Sequence, residues 1–183
     1  FAIDCSLDGL KQEHDYIRGV DGSFEKTTKL IYKLSYLKKK YPNFKNLSVN
    51  TVLMNKNYKN MPEFIEFVKS LPVDDHTFDI IRGDYKQIVG PPSINQIKRF
   101  NKIKYKTRKY YNKKKPFLKR IFNNLKDKEF IRVQERAFEK KKWPFNCTAS
   151  VTDFVIESDG AARICELQPK IGSLLKNTPE ELI

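Results

Sequence analysis

A chain of 183 residues, 39% of them hydrophobic, can bury the core of one domain or one and a half and does not have the composition of a disordered tract. Its apolar runs fall short of the ~20 residues of a membrane-spanning helix, and three cysteines are too few and too odd in number for a secreted disulfide framework, so we expect a cytoplasmic protein without a membrane partner. The net charge of +14 comes from one segment, residues 98–142, where 19 Lys and Arg stand against four acids.

The first predicted element is a short strand that ends in a polar turn. Residues 1–7 are strand-like, and the turn at residues 6–9 has the sequence SLDG. The stretch that follows, up to Gly19, is crowded with Asp, His and Arg. Because the first residue is Phe1 and already lies inside the strand-like run, we expect the chain to be a fragment or processed piece.

A helix and a second strand follow. Apolar residues recur with helical spacing from Ser23, a plausible N-cap, to Tyr41, and Pro42 ends the pattern. Residues 47–54 then alternate between apolar and polar side chains, which predicts a strand.

The same order repeats once more. Asn60 and Glu63 have the spacing of a capping box at the start of a helix, and residues 77–81 are another β-rich run. Strands that alternate with helices are typical of parallel βαβ units. Sequence pattern therefore predicts an α/β fold with a parallel sheet.

Polar residues follow each predicted strand, at residues 6–9, 55–57 and 82–84. In parallel sheets the ligand site lies beyond the carboxyl ends of the strands, where these residues would converge. The alternative is that they are ordinary loop residues, which make turns and surface ion pairs.

The basic middle of the chain carries a second possible function. Phe117, Leu118, Ile121, Phe122 and Leu125 give one helical apolar face, and tyrosines are interleaved with lysines upstream of them. Basic and aromatic residues together suit a nucleic-acid surface, because ammonium groups pair with phosphates while bases stack on rings. The alternative is a solvated helical linker.

The tail has the pattern of a β-hairpin. Two strand-like runs, residues 152–157 and 161–166, flank a tight Asp-Gly turn, and Thr178 starts a further helix. Cys147 and Cys165 frame the hairpin. Thiolates bind zinc or iron-sulfur iron, but a complete site needs about four ligands, so two partly buried free thiols are the alternative.

Two stretches resemble radical S-adenosylmethionine enzymes that carry a SPASM or twitch extension. The fourth strand of that family and the helix after it are similar to SLDGLKQEHDYIRGVDGSFEKTTKLI, and the start of the extension is similar to CTASVTDFVIESDGAARICELQPKIGSLLKNTPEELI. The resemblance covers residues 1–84 and 143–183 well, and 85–142 by position only.

This resemblance implies the fold and the domain limits. Residues 1–95 would be the C-terminal half of a partial TIM-like (β/α) barrel of six units, and residues 96–142 a basic helical linker. Residues 143–183 would begin an auxiliary iron-sulfur domain that contains the hairpin. The family's CxxxCxxC motif, which binds the 4Fe-4S cluster, is missing from this sequence.

It also implies site residues. Ser6 and Asp8 match the positions that lie against S-adenosylmethionine, and Arg18 matches an arginine that can hold the methionine carboxylate in bidentate fashion. Asn55 and Arg82 follow the next two strands and are further candidates for contact with cofactor or substrate. The resemblance assigns Cys147 and Cys165 as the first two ligands of a possible auxiliary iron-sulfur cluster.

The function implied is that of a fragment of a radical S-adenosylmethionine enzyme, inactive by itself. Such an enzyme uses a 4Fe-4S cluster to cleave S-adenosylmethionine and abstract hydrogen from a substrate, here a peptide, a carbohydrate or another anionic molecule. A reductant such as flavodoxin or ferredoxin would be its partner. A small basic α/β nucleic-acid-binding module is the alternative function, disfavoured because it leaves the cysteine hairpin without a role.

Overall fold

The computed structural model describes residues 1–81, 92–140, 155–165, 169–178 and 181. They belong to two compact units, of which the first contains the described residues up to 140 and the second those from 155 onward. The fold is a mixed α/β arrangement with two small sheets.

A three-stranded parallel sheet forms the centre of the first unit. Its strands are β1 (Ala2–Ser6), β2 (Asn46–Leu53) and β3 (Asp75–Ile80), in the order β1-β2-β3. This confirms the predicted strands and their parallel pairing. Three parallel strands do not by themselves make a barrel, so the (β/α) barrel stays a prediction.

Three helices connect these strands: α1 (Lys11–Arg18), α2 (Ser23–Lys40) and α3 (Met61–Ser70). The sequence pattern did not predict α1, in which His14 is the buried side chain. The prediction that Ser23 caps α2 is wrong, because Ser23 is the first helical residue. The carboxylate of Asp15 caps α2 instead, accepting hydrogen bonds from the backbone N–H groups of Gly22 at 2.9 Å and Phe24 at 2.8 Å.

The start of α3 also differs from the prediction. Asn60 is its N-cap residue, but the side chain makes no capping hydrogen bond. The Asn60 amide donates to Glu13 of α1 instead. This contact ties α1 to α3.

The helices pack on one face of the sheet. Residues at alternate strand positions, among them Cys5, Val49 and Phe78, join one buried cluster with Ile31 of α2 and Phe64 of α3. Because successive strand residues point to opposite faces, the other face carries the intervening side chains.

Two long helices follow β3 in the same unit: α4 (Ile94–Asn112) and α5 (Phe117–Lys140). Ser93 caps α4, accepting a hydrogen bond from the backbone N–H of Gln96. Phe100 of α4 packs edge to face against Phe78 of β3, with ring centroids 5.4 Å apart. The basic segment is thus helical, as predicted, and α4 covers part of the sheet.

Helix α5 packs against α4 with its polar side. Asn123 and Gln134 are its buried side chains, whereas the predicted apolar face is 43–79% exposed. The side chain of Asn112, at the end of α4, holds this contact: its amide N–H groups donate to Asn124 at 2.9 Å and Asp127 at 3.1 Å, and its oxygen accepts from Asn123 at 3.3 Å. Hydrogen bonds therefore fix the first half of α5, while Phe138 near its end packs against the core.

Because α5 contacts α4 through polar side chains, substitutions at Asn112 and at Phe122 should differ in their effect on the free energy of unfolding. Asn112→Ala is expected to lower the free energy of unfolding by about 2 kcal/mol, because it leaves several buried polar partners unsatisfied. Phe122→Ala, at a side chain 67% exposed, is expected to change it by less than about 0.5 kcal/mol. Urea denaturation followed by circular dichroism measures both. The reverse order would mean that α5 is held by its apolar face.

The second unit is a small antiparallel sheet. Its strands are β4 (Val155–Ile156), β5 (Ala161–Arg163) and β6 (Lys170–Ser173). The predicted hairpin corresponds to β4 and β5, and its turn includes Gly160 at φ 79°, a left-handed conformation that suits glycine. The helix predicted after Thr178 falls largely outside the described residues.

Across the described ranges, none of the helices combines the length and the apolar character that crossing a bilayer requires.

Candidate functional site at the carboxyl ends of the strands

Asp8 lies at the centre of a buried network just beyond β1. Its side chain is 3% exposed and accepts a hydrogen bond from the backbone N–H of Val52 in β2 at 2.9 Å. The second carboxylate oxygen pairs with the Arg18 guanidinium at 2.6 Å. Arg18, 37% exposed, is therefore anchored from behind by Asp8 and reaches the surface.

His14 connects this network to α2. Its Nδ1 accepts a hydrogen bond from the backbone N–H of Asp8 at 3.1 Å, which leaves the proton on Nε2, 3.1 Å from the Ser23 hydroxyl. Burial lowers the pKa of His14, an effect that Asp8 opposes and Arg18 reinforces. A neutral imidazole thus joins the loop after β1 to the start of α2.

Asn57 joins the ends of β1 and β2. Its amide donates to the backbone carbonyls of Asp8 at 2.6 Å and Val52 at 2.8 Å, and its oxygen accepts from the N–H of Met54 at 2.9 Å. Asn55, the predicted site residue, lies two positions away and is exposed. Asn57 therefore shapes the loops, while Asn55 is available at the surface.

A cleft of about 340 Å³ runs along β1 and reaches α1 and α2. We call it the β1 cleft, and its lining residues are Ile3, Asp4, Cys5, Ser6, His14, Arg18, Ser23, Thr27 and Leu30. It brings together Ser6 and Arg18, two of the predicted site residues. Asp8 lies behind the cleft and acts on it through Arg18.

Cys5 lies in the wall of the β1 cleft and is a free thiol. Burial raises its pKa, and the neighbouring carboxylate of Asp4 raises it further. A thiol with a raised pKa stays protonated near neutral pH and is a poor nucleophile or metal ligand. Cys5 therefore belongs to the core.

The face of the sheet opposite the helices is polar. We call it the open face, and at alternate positions of the three strands it carries Asp4, Ser6, Ser48, Asn50, Thr77 and Asp79.

Hydrogen bonds link the open face across the strands. Ser48 donates to Asp4, Thr77 donates to the Asn50 side-chain oxygen at 3.0 Å, and the Asn50 amide donates to Asp79 at 3.4 Å. Parallel sheets usually have apolar residues on both faces. The open face of this sheet is instead largely polar. Its signal in the sequence is a polar residue at most alternate positions of each strand, with Ala2 and Val52 as exceptions.

The remaining predicted site residues are Arg82, Cys147 and Cys165. Arg82 and Cys147 fall outside the described residues. Cys165 belongs to the second unit, where it is a half-buried free thiol. Throughout the part of the chain that the structure describes, no group of three or more His, Cys, Asp or Glu side chains could hold a metal ion.

Comparison with known proteins finds similarity to a solved structure. No family model and no curated protein matches the chain. The solved structure is hexahistidine-tagged anSMEcpe with bound AdoMet, a radical S-adenosylmethionine enzyme, with a TM-score of 0.56 and 17% sequence identity. The match covers 100% of this chain and 48% of that chain, so the chain spans about half the length of its neighbour. At this identity the likeness concerns the fold.

Proposed function

We propose that the chain is part of a radical S-adenosylmethionine enzyme, in which its β1 cleft holds the amino-acid end of S-adenosylmethionine. The observation that carries the proposal is the buried Asp8 that aims Arg18 into a cleft shared with Ser6. The fold likeness to an AdoMet-bound enzyme over the whole chain supports it.

The residues of the β1 cleft fit S-adenosylmethionine chemically. Arg18 offers a guanidinium for the methionine carboxylate, and Ser6 offers a hydroxyl. Ile3 and Leu30 add apolar wall. The volume of about 340 Å³ lies within the usual range of small-molecule sites. Asp8 is a positioning residue in this proposal, since its carboxylate is already paired with Arg18.

The chain's own residues do not fit the 4Fe-4S cluster. The sequence has no CxxxCxxC motif, and the described residues contain no metal-binding group. We therefore expect the isolated chain not to cleave S-adenosylmethionine. Ligation of an auxiliary cluster by Cys147 and Cys165, and reduction by a flavodoxin or ferredoxin, remain parts of the proposal.

The open face is proposed as the substrate side of the site. Ser6 belongs both to the β1 cleft and to the open face, so a molecule on the open face would lie beside one in the cleft. Asn50, Thr77 and Asp79 offer hydrogen-bond donors and acceptors. These suit a peptide or a carbohydrate better than an apolar substrate.

Binding of S-adenosylmethionine tests the proposal. Arg18→Gln is expected to weaken binding about tenfold or more, because it removes the charged bidentate partner of the carboxylate. Calorimetry gives the dissociation constant, and amide shifts in NMR spectra locate the ligand; we expect them in β1 and the start of α2.

Arg132→Gln is the matched control. Arg132 pairs with Glu129 on the exposed side of α5 and does not line the β1 cleft, so its removal is expected to leave binding unchanged. Equal effects of the two substitutions, or shifts confined to α4 and α5, would contradict the proposed site.

A further inference from the structure

A second cavity lies along β3, at the edge of the described sheet. Its volume is about 310 Å³, and it shares no lining residue with the β1 cleft. We call it the β3-edge cavity, and its lining residues are Thr77, Phe78, Asp79, Lys104, Arg108, Lys126, Asp127 and Phe130.

The amine of Lys104 is the nucleophilic group of this cavity. The residue is 6% exposed, and its ammonium donates to the backbone carbonyl of Phe78 at 3.1 Å and to the side-chain oxygen of Gln134 at 3.3 Å. Both acceptors are neutral, and within the described ranges no carboxylate forms an ion pair with Lys104. A buried lysine held by neutral acceptors lacks the usual compensation for its charge.

Two of the other charged groups of the cavity, Arg108 and Asp127, form an ion pair. Arg108 pairs with Asp75 and, at 3.3 Å, with Asp127. Asp79 faces the amine from β3 without touching it. Burial, reinforced by Arg108 and opposed by Asp79 and Asp127, lowers the pKa of Lys104 to about 8. Part of the amine is therefore unprotonated near neutral pH.

The side chains in the wall of the β3-edge cavity indicate which kind of small molecule it could bind. The ring of Phe130 is 47% exposed, and its centroid lies 5.3 Å from the Lys104 nitrogen, so a flat ring can stack there. Lys126 is exposed at the cavity wall and forms no ion pair with another described residue, which favours an anionic substituent. Together the walls suit a small aromatic molecule with one negative charge.

We propose that Lys104 is a modification site, at which its amine condenses with a small anionic aromatic aldehyde held against Phe130 in the β3-edge cavity. The site is separate from the β1 cleft, so the proposal goes beyond the binding of S-adenosylmethionine and does not depend on it.

The chemistry needs no oxidant or reductant. The nitrogen lone pair forms a bond to the carbonyl carbon, two protons pass from nitrogen to the carbonyl oxygen, and that oxygen leaves as water. Amine and aldehyde thus become imine and water. A protonated imine keeps one N–H, enough to donate to the Phe78 carbonyl, while the Gln134 oxygen loses its donor.

Reductive trapping tests the proposal on the unmodified chain. The probe is para-formylbenzoate with cyanoborohydride, and mass spectrometry of peptides gives the rate at each lysine. At about pH 7.5, Lys104 is expected to react at least about tenfold faster than Lys106 and Lys109, exposed lysines of the same helix, because a far larger fraction of it is unprotonated. Its rate should level off above about pH 8, whereas theirs should keep rising. Equal rates, or a rate at Lys104 that keeps rising, would overturn the proposal.

Substitutions of residues that line the β3-edge cavity test what each contributes to the reaction. Phe130→Ala is expected to slow labelling of Lys104 about threefold or more, because the stacking ring is lost. Lys126→Gln is expected to remove the preference for formylbenzoate over benzaldehyde. Lys104→Arg should abolish the fast phase and leave the other lysines unchanged. A fast phase that survives Lys104→Arg would assign the reaction to another residue and refute the site.

Discussion

Replacing Asp8 by asparagine is expected to lower the free energy of unfolding by about 3 kcal/mol, the lower end of the range for breaking a buried ion pair. The substitution keeps the shape of the side chain and an acceptor for the Val52 N–H, but it removes the charge that balances Arg18. The value falls at the lower end because Arg18 is partly exposed and water can solvate it. Chemical denaturation at neutral pH measures the change.

Glu129→Gln is the matched control for Asp8→Asn. Glu129 forms an ion pair with Arg132 one helical turn away, and both side chains are more than half exposed. Exposed pairs of this kind contribute less than about 1 kcal/mol, so Glu129→Gln should hardly change the free energy of unfolding. If Asp8→Asn changed the free energy of unfolding as little as Glu129→Gln does, the network behind the β1 cleft would not stabilise the fold. Asp8 would then not anchor Arg18.

The alternation of apolar and polar residues was sufficient to predict the sheet and the helices that carry a buried stripe. Helix α3 is the clearest case, since Met61, Phe64, Ile65 and Val68 have helical spacing and are all buried. Helix α1 carries no such stripe, and His14 is its buried side chain. It is fixed by contacts to neighbouring elements, such as Asp15 at the start of α2, and these cannot be read from local periodicity.

In helix α5 the spacing of apolar residues predicted the helix but not the side that packs against its neighbour. Its apolar residues have helical spacing, and the helix is present, but Asn123 and Gln134 face α4. Spacing indicates which residues share a side of a helix and does not indicate which side has a neighbour. Here the hydrogen-bonding capacity of Asn112 decides the orientation, through partners 11 to 15 residues away.

Strand order predicted that Ser6 and Asp8 lie at the carboxyl edge of the sheet, and the family resemblance added Arg18. In the structure Ser6 and Arg18 line one cleft, and their role in binding a ligand stays a prediction. The role of Asp8 depends on a hydrogen bond from Val52, 44 residues away, which no local pattern encodes. The open face was not predicted, because alternation along a strand does not distinguish a solvated polar face from one that contacts a ligand.

His76 is fully buried between the rings of Phe64 and Phe78. The hydroxyl of Thr51 donates to the Leu7 carbonyl at 2.7 Å, so its oxygen accepts the His76 Nε2–H at 2.8 Å. Nδ1 is buried and has no hydrogen-bond partner among the described residues. Burial, with Arg108 and Lys69 adding to it, lowers the pKa of His76 from 6.5 to about 3.

A histidine that is harder to protonate when folded destabilises the fold in acid. The unfolded chain gains a proton at His76 as the pH falls below 6.5, while the folded chain does not until about 3. The stability that depends on neutral His76 is therefore complete above its unfolded pKa and is lost as the pH falls. Between pH 6.5 and about 4.5 the loss is about 2 kcal/mol, because the slope reaches its limit of about 1.4 kcal/mol per pH unit only below the unfolded pKa.

His76→Leu is expected to flatten this dependence, because leucine has a similar volume and no proton to gain, while Thr51 keeps its bond to the Leu7 carbonyl. At neutral pH the variant should lie within about 1 kcal/mol of the parent, since the lost hydrogen bond is offset by removal of the unpaired Nδ1. Urea titrations from neutral pH to about pH 4.5 measure the slope in a window where most carboxylates remain ionised. A smaller slope should survive, because the pKa of His14 is also lowered by burial. A variant as acid-sensitive as the parent would show that His76 is protonated in the folded chain.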